Sequence, residues 1–248
     1  MNISGEDRVH LIRDKYHGDE SADLTDDARR LALGEPLAYV IGWIPFLGLH
    51  IRLDSHPLIP RPETEWWTEL LIEHLKERFG DAPCRVLDLC AGSGAIGLAV
   101  LKHLPNAHVS FGELSAAHAE LVMRNIEENG LDTSRADVRG GDLFAPFQNQ
   151  HFHIIATNPP YIPSTRALDR SVLDYEPEDA LYAGTDGLEL IRRLATEAPR
   201  HISKNGELWM ECDIENIDEA ARLLAQTGAR TDIRTDLYGR KRLVLAYY

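Results

Sequence analysis

The hydrophobic and polar positions of the chain change period several times along its length. Before residue 36, apolar residues recur at helical spacing in VHLIRDKY and LTDDARRLAL, which predicts two short helices. Residues 38–55 alternate better as strands, with Gly42, Pro45 and Gly48 between the runs, and we predict a β-hairpin there. From Pro62 the spacing is again helical, with acidic residues in the first turn.

From Cys84 onward, strand patterns alternate with helical patterns. The predicted strands are RVLDL, HVSFGE, ADVRGG, FHIIATN and GELWMEC, and helical stretches separate most of them. This alternation implies an α/β fold with a mostly parallel sheet that is covered on both faces. The last two strands, RTDIRT and KRLVLAYY, have no helix between them, so we expect an antiparallel pair at a sheet edge.

A glycine-rich turn, DLCAGSGAIG, follows the first strand of the α/β region. Glycines between a strand and a helix let the backbone approach a ligand closely. The next strand ends in Glu113, about 20 residues further on, where a carboxylate can reach the ribose hydroxyls of a nucleoside. Glu113 could instead be an acidic residue at the start of the following helix. The turn has no P-loop lysine, which favours a nucleoside without phosphates, such as S-adenosylmethionine.

Four polar residues fall at successive strand ends, where open α/β sheets bind ligands. They are Asp88, Glu113, Asp142 and Asn158. Asp142 could accept a hydrogen bond from an adenine amino group, and Leu143 could cover the adenine ring. We therefore predict a single site at this edge of the sheet.

The segment TNPPYIP leaves a predicted core strand directly into asparagine, two prolines and tyrosine. The Asn158 side-chain oxygen and the Pro159 carbonyl are acceptors on a stiff backbone, and together they can take both hydrogens of one NH2 group. Tyr161 offers a flat face for a planar group. The motif predicts a pocket for a conjugated amine, either a side-chain amide or a base amino group. The long irregular segment up to Asp186 is expected to face the substrate.

Composition and charge narrow the classes of partner. The 248 residues carry a formal net charge of −14, so a basic face that grips nucleic acid is not expected. Cys84, Cys90 and Cys212 form no CxxC pair, which indicates neither a disulfide framework nor a zinc site and suits a reducing compartment. The histidines include no HExxH, and we expect no metal. No apolar run is long enough to span a bilayer, and we expect a cytoplasmic protein without membrane contact.

Several segments resemble the glutamine methyltransferases that modify peptide-chain release factors, the HemK-like class. The resemblance covers most of the chain from about residue 34. GEPLAYVIGWIPFLGLHI is similar to the family's linker hairpin, and LIPRPETE is the most specific segment outside the active site. DLCAGSGAIGLAV resembles the cofactor loop and TNPPYIP the catalytic motif. YEPEDALYAGTDGLELIRRL, GELWMEC and DLYGRKRLV resemble later segments of the family.

The resemblance implies a Rossmann-like class I methyltransferase domain over residues 61–248, a short helical N-terminal domain over 1–35 and a β-hairpin linker over 36–60. It implies methyl transfer from S-adenosyl-L-methionine, with S-adenosyl-L-homocysteine as product. The acceptor would be the side-chain nitrogen, N5, of the glutamine in the GGQ motif of a class-1 peptide chain release factor. The expected cofactor contacts are Asp88, Cys90, Ala91, Gly92, Ser93, Gly94, Glu113, Asp142, Leu143 and Asn158. The expected substrate contacts are Arg61, Pro62, Asn158, Pro159, Pro160 and Tyr161, of which the last four are catalytic.

Two features depart from the family pattern. Cys90 stands where the family usually has glycine, and a positive φ at that position would strain a cysteine. Only two helices are predicted before GEPLAYV, fewer than in the family's helical bundle, so docking of the release factor could differ.

Three other functions stay open from the sequence. The first is a glutamine methyltransferase acting on a ribosomal protein, although LIPRPETE favours the release-factor type. The second is an adenine-amino methyltransferase on DNA or RNA, which would need a target-recognition region and a basic face, neither of which is evident. The third is a cofactor-binding protein without catalysis, against which the intact Asn158 and Tyr161 argue.

Overall fold

The computed structural model describes residues 3–248, and the first two residues of the predicted N-terminal domain, Met1 and Asn2, lie outside the described residues. The strands are β1 (Trp43–Phe46), β2 (Leu49–Arg52), β3 (Cys84–Leu89), β4 (Ala107–Glu113), β5 (Ala136–Gly140), β6 (Phe152–Thr157), β7 (Ile202–Glu211), β8 (Arg230–Thr235) and β9 (Lys241–Tyr247). The α-helices are α1 (Gly5–His10), α2 (Thr25–Ala32), α3 (Leu37–Ile41), α4 (Pro62–Phe79), α5 (Ala95–His103), α6 (Ala116–Glu128), α7 (Arg170–Leu173), α8 (Glu189–Glu197) and α9 (Ile217–Ala225). Leu11–Lys15 forms a π-helical turn, and 3₁₀ turns lie at Thr133–Arg135, Ala145–Phe147, Glu178–Ala180 and Ala198–Arg200.

The central sheet has seven strands in the order β5-β4-β3-β6-β7-β9-β8. Strands β3 to β7 are parallel, whereas β9 runs antiparallel to both β7 and β8. The predicted α/β fold with an antiparallel edge pair is therefore confirmed. Strand order reverses between β3 and β6, and a ligand crevice opens outside the carboxyl ends of strands at such a reversal.

Consecutive residues of the central strands pack into two different cores. Val86 and Ile154 face the core formed with α4 and α5, while Leu87 and Ile155 face the core formed with α8 and α9. This alternation explains why the strands read as continuous apolar runs, because both faces of a parallel sheet are covered. Among residues 3–248, no helix combines the length and the apolar composition needed to cross a membrane.

The hairpin is shorter than its sequence pattern predicted. Residues 38–41 were predicted as strand but lie in helix α3, and the hairpin begins only at Trp43. The four apolar residues AYVI fit both the helical period and the strand period, and the neighbouring residues decide which structure forms. Pro36 starts the helix by accepting hydrogen bonds through its carbonyl, and Gly42 ends it with φ +96°.

Side chains of α6 and the residue that ends it fix the hairpin against the sheet domain. Asn129 exchanges hydrogen bonds with the backbone of His50, and Asn125 accepts one from the backbone N–H of Arg52 at 2.9 Å. These asparagines satisfy backbone N–H and C=O groups along an exposed edge of the two-stranded sheet. The segment that follows the hairpin, which includes LIPRPETE, is thereby carried to the carboxyl edge of the central sheet.

The irregular segment between β6 and α8 is also anchored at this edge. Glu176 is buried, and its carboxylate accepts hydrogen bonds from the backbone N–H of Ile59 at 3.1 Å and from Arg61 at 2.5 Å. Arg166 forms a bidentate pair with Asp213, which follows β7. These contacts fasten the long loop beside the ends of the strands.

Candidate functional site

A cavity lies outside the carboxyl ends of β3, β4 and β6. It contains about 720 Å³ of empty space, including its open mouth. The predicted site residues that line it are Cys90, Gly92, Glu113, Asp142, Leu143, Asn158 and Pro160. Lining residues that the sequence did not reveal are Leu58, Leu89, Gly112, Leu114, His118, Gly141, Asp179, Ala180 and Leu190.

Glu113 connects the glycine turn to the next helix. Its Oε2 accepts a hydrogen bond from the backbone N–H of Gly92 at 2.7 Å, and its Oε1 accepts one from the backbone N–H of Ser115 at 2.9 Å. Glu113 therefore lines the cavity and also holds the start of α6, while its contact with a ribose stays a prediction. Each carboxylate oxygen keeps a lone pair for a further donor.

Asp88 lies beneath the glycine turn, outside the cavity lining. Its buried Oδ2 accepts a hydrogen bond from the backbone N–H of Gly97 at 2.8 Å, in the first turn of α5. Burial, more than the nearby charge of Glu113, raises the pKa of Asp88 to about 8. A Cβ on Gly97 would lie 2.3 Å from the ring of Phe111, so glycine there is required for α5 to pack on the sheet.

The remaining predicted residues of the turn shape its backbone rather than line the cavity. The Ala91 N–H donates to the Gly112 carbonyl at 3.1 Å, and the Gly94 N–H donates to the Ala91 carbonyl at 2.7 Å. The Ser93 carbonyl accepts from Asn125 at 2.9 Å. These contacts hold the turn in one conformation.

Two non-glycine residues of the cavity lining have left-handed backbone. Cys90 has φ +60° and Leu143 has φ +44°, and both lie just beyond strand ends. The strain anticipated for a cysteine at position 90 is therefore present in the structure. Such conformations cost about 1 to 3 kcal/mol and cluster at functional sites. Burial raises the pKa of the Cys90 thiol to about 12, so the thiol stays protonated at neutral pH.

Alanine is usually more stabilising than glycine, but the strain at Cys90 predicts that the glycine variant is the more stable one. Both Cys90→Gly and Cys90→Ala remove the sulfur, but only glycine removes the Cβ that opposes a positive φ. We expect Cys90→Gly to be more stable than Cys90→Ala by about 0.5 to 1 kcal/mol, measured by urea unfolding.

Cys212 provides the matched control, because it is a buried cysteine with an ordinary backbone. There the alanine variant should be the more stable one, by about 0.5 to 1 kcal/mol. Equal stability of the two Cys90 variants would contradict the assignment of strain to that residue.

Asn158 lies at the junction of this cavity with a second one. The second cavity contains about 530 Å³ of empty space, and it shares Leu58, Asn158 and Ala180 with the first. Among the predicted substrate contacts, Arg61, Pro159 and Tyr161 line the second cavity. Pro62 lines neither cavity and starts helix α4 instead. The long loop contributes Leu168, Val172, Ala180 and Leu181 to the second cavity.

Asp142 is exposed at the outer end of the first cavity. Its two carboxylate oxygens accept hydrogen bonds from Arg193 at 3.1 and 2.8 Å. The bidentate pair fixes the direction of the carboxylate. The remaining lone pairs of Asp142 are available to an amino group at the cavity mouth.

The sheet order and the glycine turn are those of the class I methyltransferase fold. The profile for the methyltransferase small domain matches residues 63–173. A solved methyltransferase from Pyrococcus furiosus has the same fold, with a TM-score of 0.61 at 18% identity, over 90% of this chain and 98% of that one.

More specific similarity lies in the sequence. The chain is 35% identical over 232 residues to the release factor glutamine methyltransferase of Deinococcus radiodurans, covering 92% of this chain and 80% of that protein. It is 38% identical over 223 residues to the release factor glutamine methyltransferase of Bordetella pertussis, covering 89% and 80% respectively. The chain belongs to the family of release factor glutamine methyltransferases.

Proposed function

We propose that this protein transfers a methyl group from S-adenosyl-L-methionine to N5 of the glutamine in the GGQ motif of class-1 peptide chain release factors. The observation that carries the proposal is the position of Asn158 between two joined cavities. One cavity suits a nucleoside cofactor and the other a planar amide. The names of the relatives support a release factor as the protein substrate.

The first cavity would hold the cofactor. The carboxylate of Glu113 would accept hydrogen bonds from the ribose hydroxyls, while Asp142 and Leu143 would contact the adenine. Cys90 and Gly92 would border the methionine part of the cofactor, while the other residues of the loop 90–94 would hold the turn in shape and Asp88 would support it from below. When bound, S-adenosyl-L-methionine supplies an electrophilic methyl group on a sulfonium, and the acidic residues around the cavity suit that positive charge.

The second cavity would hold the glutamine side chain. The Asn158 Oδ1 and the Pro159 carbonyl would accept the two amide hydrogens, and Tyr161 and Pro160 would contact the planar amide group. Arg61 would contribute to its lining, and Pro62 would start the helix beside it. Holding both hydrogens directs the nitrogen lone pair toward the methyl carbon, and positioning of this kind can contribute about 7 to 11 kcal/mol. Asn158, Pro159 and Tyr161 would hold the amide while the cofactor supplies the methyl group, and S-adenosyl-L-homocysteine would be released as one amide proton passes to solvent.

The domain division proposed for the chain follows from these roles. Residues 61–248 would form most of both cavities, residues 36–60 would be the linker and add Leu58 to both, and the helices within residues 1–35 would contact the release factor. Three free cysteines fit a cytoplasmic protein.

The test is to incubate the protein with isotopically labelled S-adenosyl-L-methionine and one candidate acceptor at a time. The acceptors are a class-1 release factor, the same factor with its GGQ glutamine replaced by asparagine, a ribosomal protein fraction and duplex DNA. Mass spectrometry of digested products should find one labelled methyl group on the GGQ glutamine and none on the asparagine variant. A labelled adenine, or a labelled glutamine only in the ribosomal fraction, would reject the release-factor assignment.

A further inference from the structure

A buried carboxylate lies behind the TNPPYIP segment and takes no part in the function proposed above. Glu211, the last residue of β7, is 1% exposed. Its Oε2 accepts hydrogen bonds from the Thr64 hydroxyl and the Trp67 indole, both at 2.7 Å, and its Oε1 accepts one from the Tyr161 hydroxyl at 3.0 Å. Burial raises the pKa of Glu211, and the donors oppose that rise. The carboxylate is thus an acceptor for donors from α4 and from the TNPPYIP segment.

The chemistry of these groups determines the direction of each hydrogen bond. The Trp67 indole N–H can only donate, which makes Oε2 of Glu211 an acceptor. Thr64 has one hydroxyl proton, and it points to the same oxygen. The oxygen of Thr64 can therefore only accept from its other neighbour, the Asn158 Nδ2 at 3.2 Å.

This chain of donors and acceptors also orients the Asn158 amide. With Nδ2 bound to Thr64, Oδ1 becomes the end of the amide that is free to accept. An amide without such a partner could turn over and present its own NH2 group to an incoming NH2 group, where two donors would oppose each other. Thr64 is 3% exposed, so water cannot easily replace its hydroxyl.

We infer that Thr64 and Glu211 are positioning residues that hold Asn158 with its oxygen directed at the acceptor amine. The identity of that amine as a glutamine side chain rests on the proposed function, whereas the orientation of Asn158 does not. The role of LIPRPETE is then partly explained, because this segment brings Thr64 of α4 under the strand-end asparagine.

Thr64→Val tests the inference, because valine keeps the shape of threonine and removes the hydroxyl. Its matched control is Thr64→Ser, which keeps the hydroxyl and removes the methyl group. The side-chain NH2 signals of Asn158 are identified in ¹H–¹⁵N spectra by their loss in Asn158→Ala. We expect these signals to shift and exchange faster with solvent in Thr64→Val and to stay near their original positions in Thr64→Ser.

The kinetic prediction is a loss in kcat with little change in KM. We expect Thr64→Val to lower kcat on the release factor by about 100-fold, because small displacements of a positioned group have effects of this size. Thr64→Ser should restore most of the rate, and affinity for S-adenosyl-L-methionine should stay the same in both variants. Glu211→Gln should keep the Asn158 signals, since the amide carbonyl of this variant would still accept from Trp67 and Thr64 while Tyr161 turns to accept from the amide NH2 group.

The outcomes separate this inference from the proposed function. Unchanged Asn158 signals in Thr64→Val, or changed signals with an unchanged kcat, would overturn the positioning role. If the unmodified protein methylates no release factor, the proposed function fails, while the NMR comparison still decides whether Thr64 orients Asn158.

Discussion

Asn158→Ala is expected to lower kcat for methyl transfer by about 10²- to 10³-fold, the range seen when one preorganised polar contact to a reacting group is removed. Alanine lacks the Oδ1 acceptor where the linings of the two cavities meet, so in the proposed complex one hydrogen of the acceptor amine would lose its partner. The Pro159 carbonyl remains, but one acceptor cannot fix the direction of an NH2 group. The measurement is single-turnover transfer to the release factor with cofactor in excess.

Affinity for S-adenosyl-L-methionine should change little in the same variant, because Glu113 and the glycine turn are untouched. Calorimetry measures this affinity directly. Asn106→Ala is the control, since Asn106 is an exposed asparagine just before β4, at the opposite edge of the sheet, and its side chain donates to the carbonyl of Asp81. Parallel losses of rate and cofactor affinity in Asn158→Ala would show that Asn158 supports the cofactor cavity rather than the acceptor amine.

The fold could be predicted because its signals are local. The helices and strands of the α/β region have long, regular apolar patterns, and the sheet covered on both faces follows from their alternation. The failures are short segments whose period is ambiguous. Residues 38–41 fit both a helical and a strand pattern, and they form a helix. Strand β7 begins at Ile202, whereas the sequence pattern predicted a start at Gly206. Exposed polar residues and the left-handed backbone of Asn205 conceal the true start.

Some residues of the candidate site could be predicted from the sequence, and others could not. Cavity residues at strand ends, such as Glu113 and Asn158, could be found because the sheet places all carboxyl ends at one edge. Leu58, His118 and Leu190 could not, since they reach the cavity from the linker, α6 and α8 only through tertiary packing. Their side chains carry no pattern that distinguishes them from ordinary core or surface residues.

Asp88 is a polar residue near a strand end that does not line the cavity. It was grouped with the other polar residues at the strand ends, yet its carboxylate points into the protein and accepts from Gly97. Asp88 pairs with Phe111, two residues before Glu113 in β4, so it shares a face of the sheet with Glu113 but lies deeper, under the glycine turn. The alternation of apolar and polar residues gives the face of the sheet but not how deep a strand-end side chain lies.

Glu113→Ala is expected to weaken binding of S-adenosyl-L-methionine by about 100-fold or more, because two hydrogen bonds to a charged group contribute about 1.5 to 3 kcal/mol each. Isothermal calorimetry gives the dissociation constant. Glu120→Ala is the matched control, since Glu120 is an exposed glutamate of α6 and its loss changes the net charge equally. Glu113→Gln should be intermediate, because glutamine keeps the length of the side chain and one acceptor oxygen.

The alanine variant also loses the contacts of Glu113 with the backbone of Gly92 and Ser115. A weaker turn could by itself reduce affinity, so thermal unfolding is measured with and without S-adenosyl-L-methionine. Loss of ribose contacts predicts a small fall in the melting temperature of the free protein and a much larger fall in the stabilisation by saturating cofactor. An unchanged dissociation constant would remove the ribose role from Glu113 and leave it as the residue that joins the glycine turn to α6.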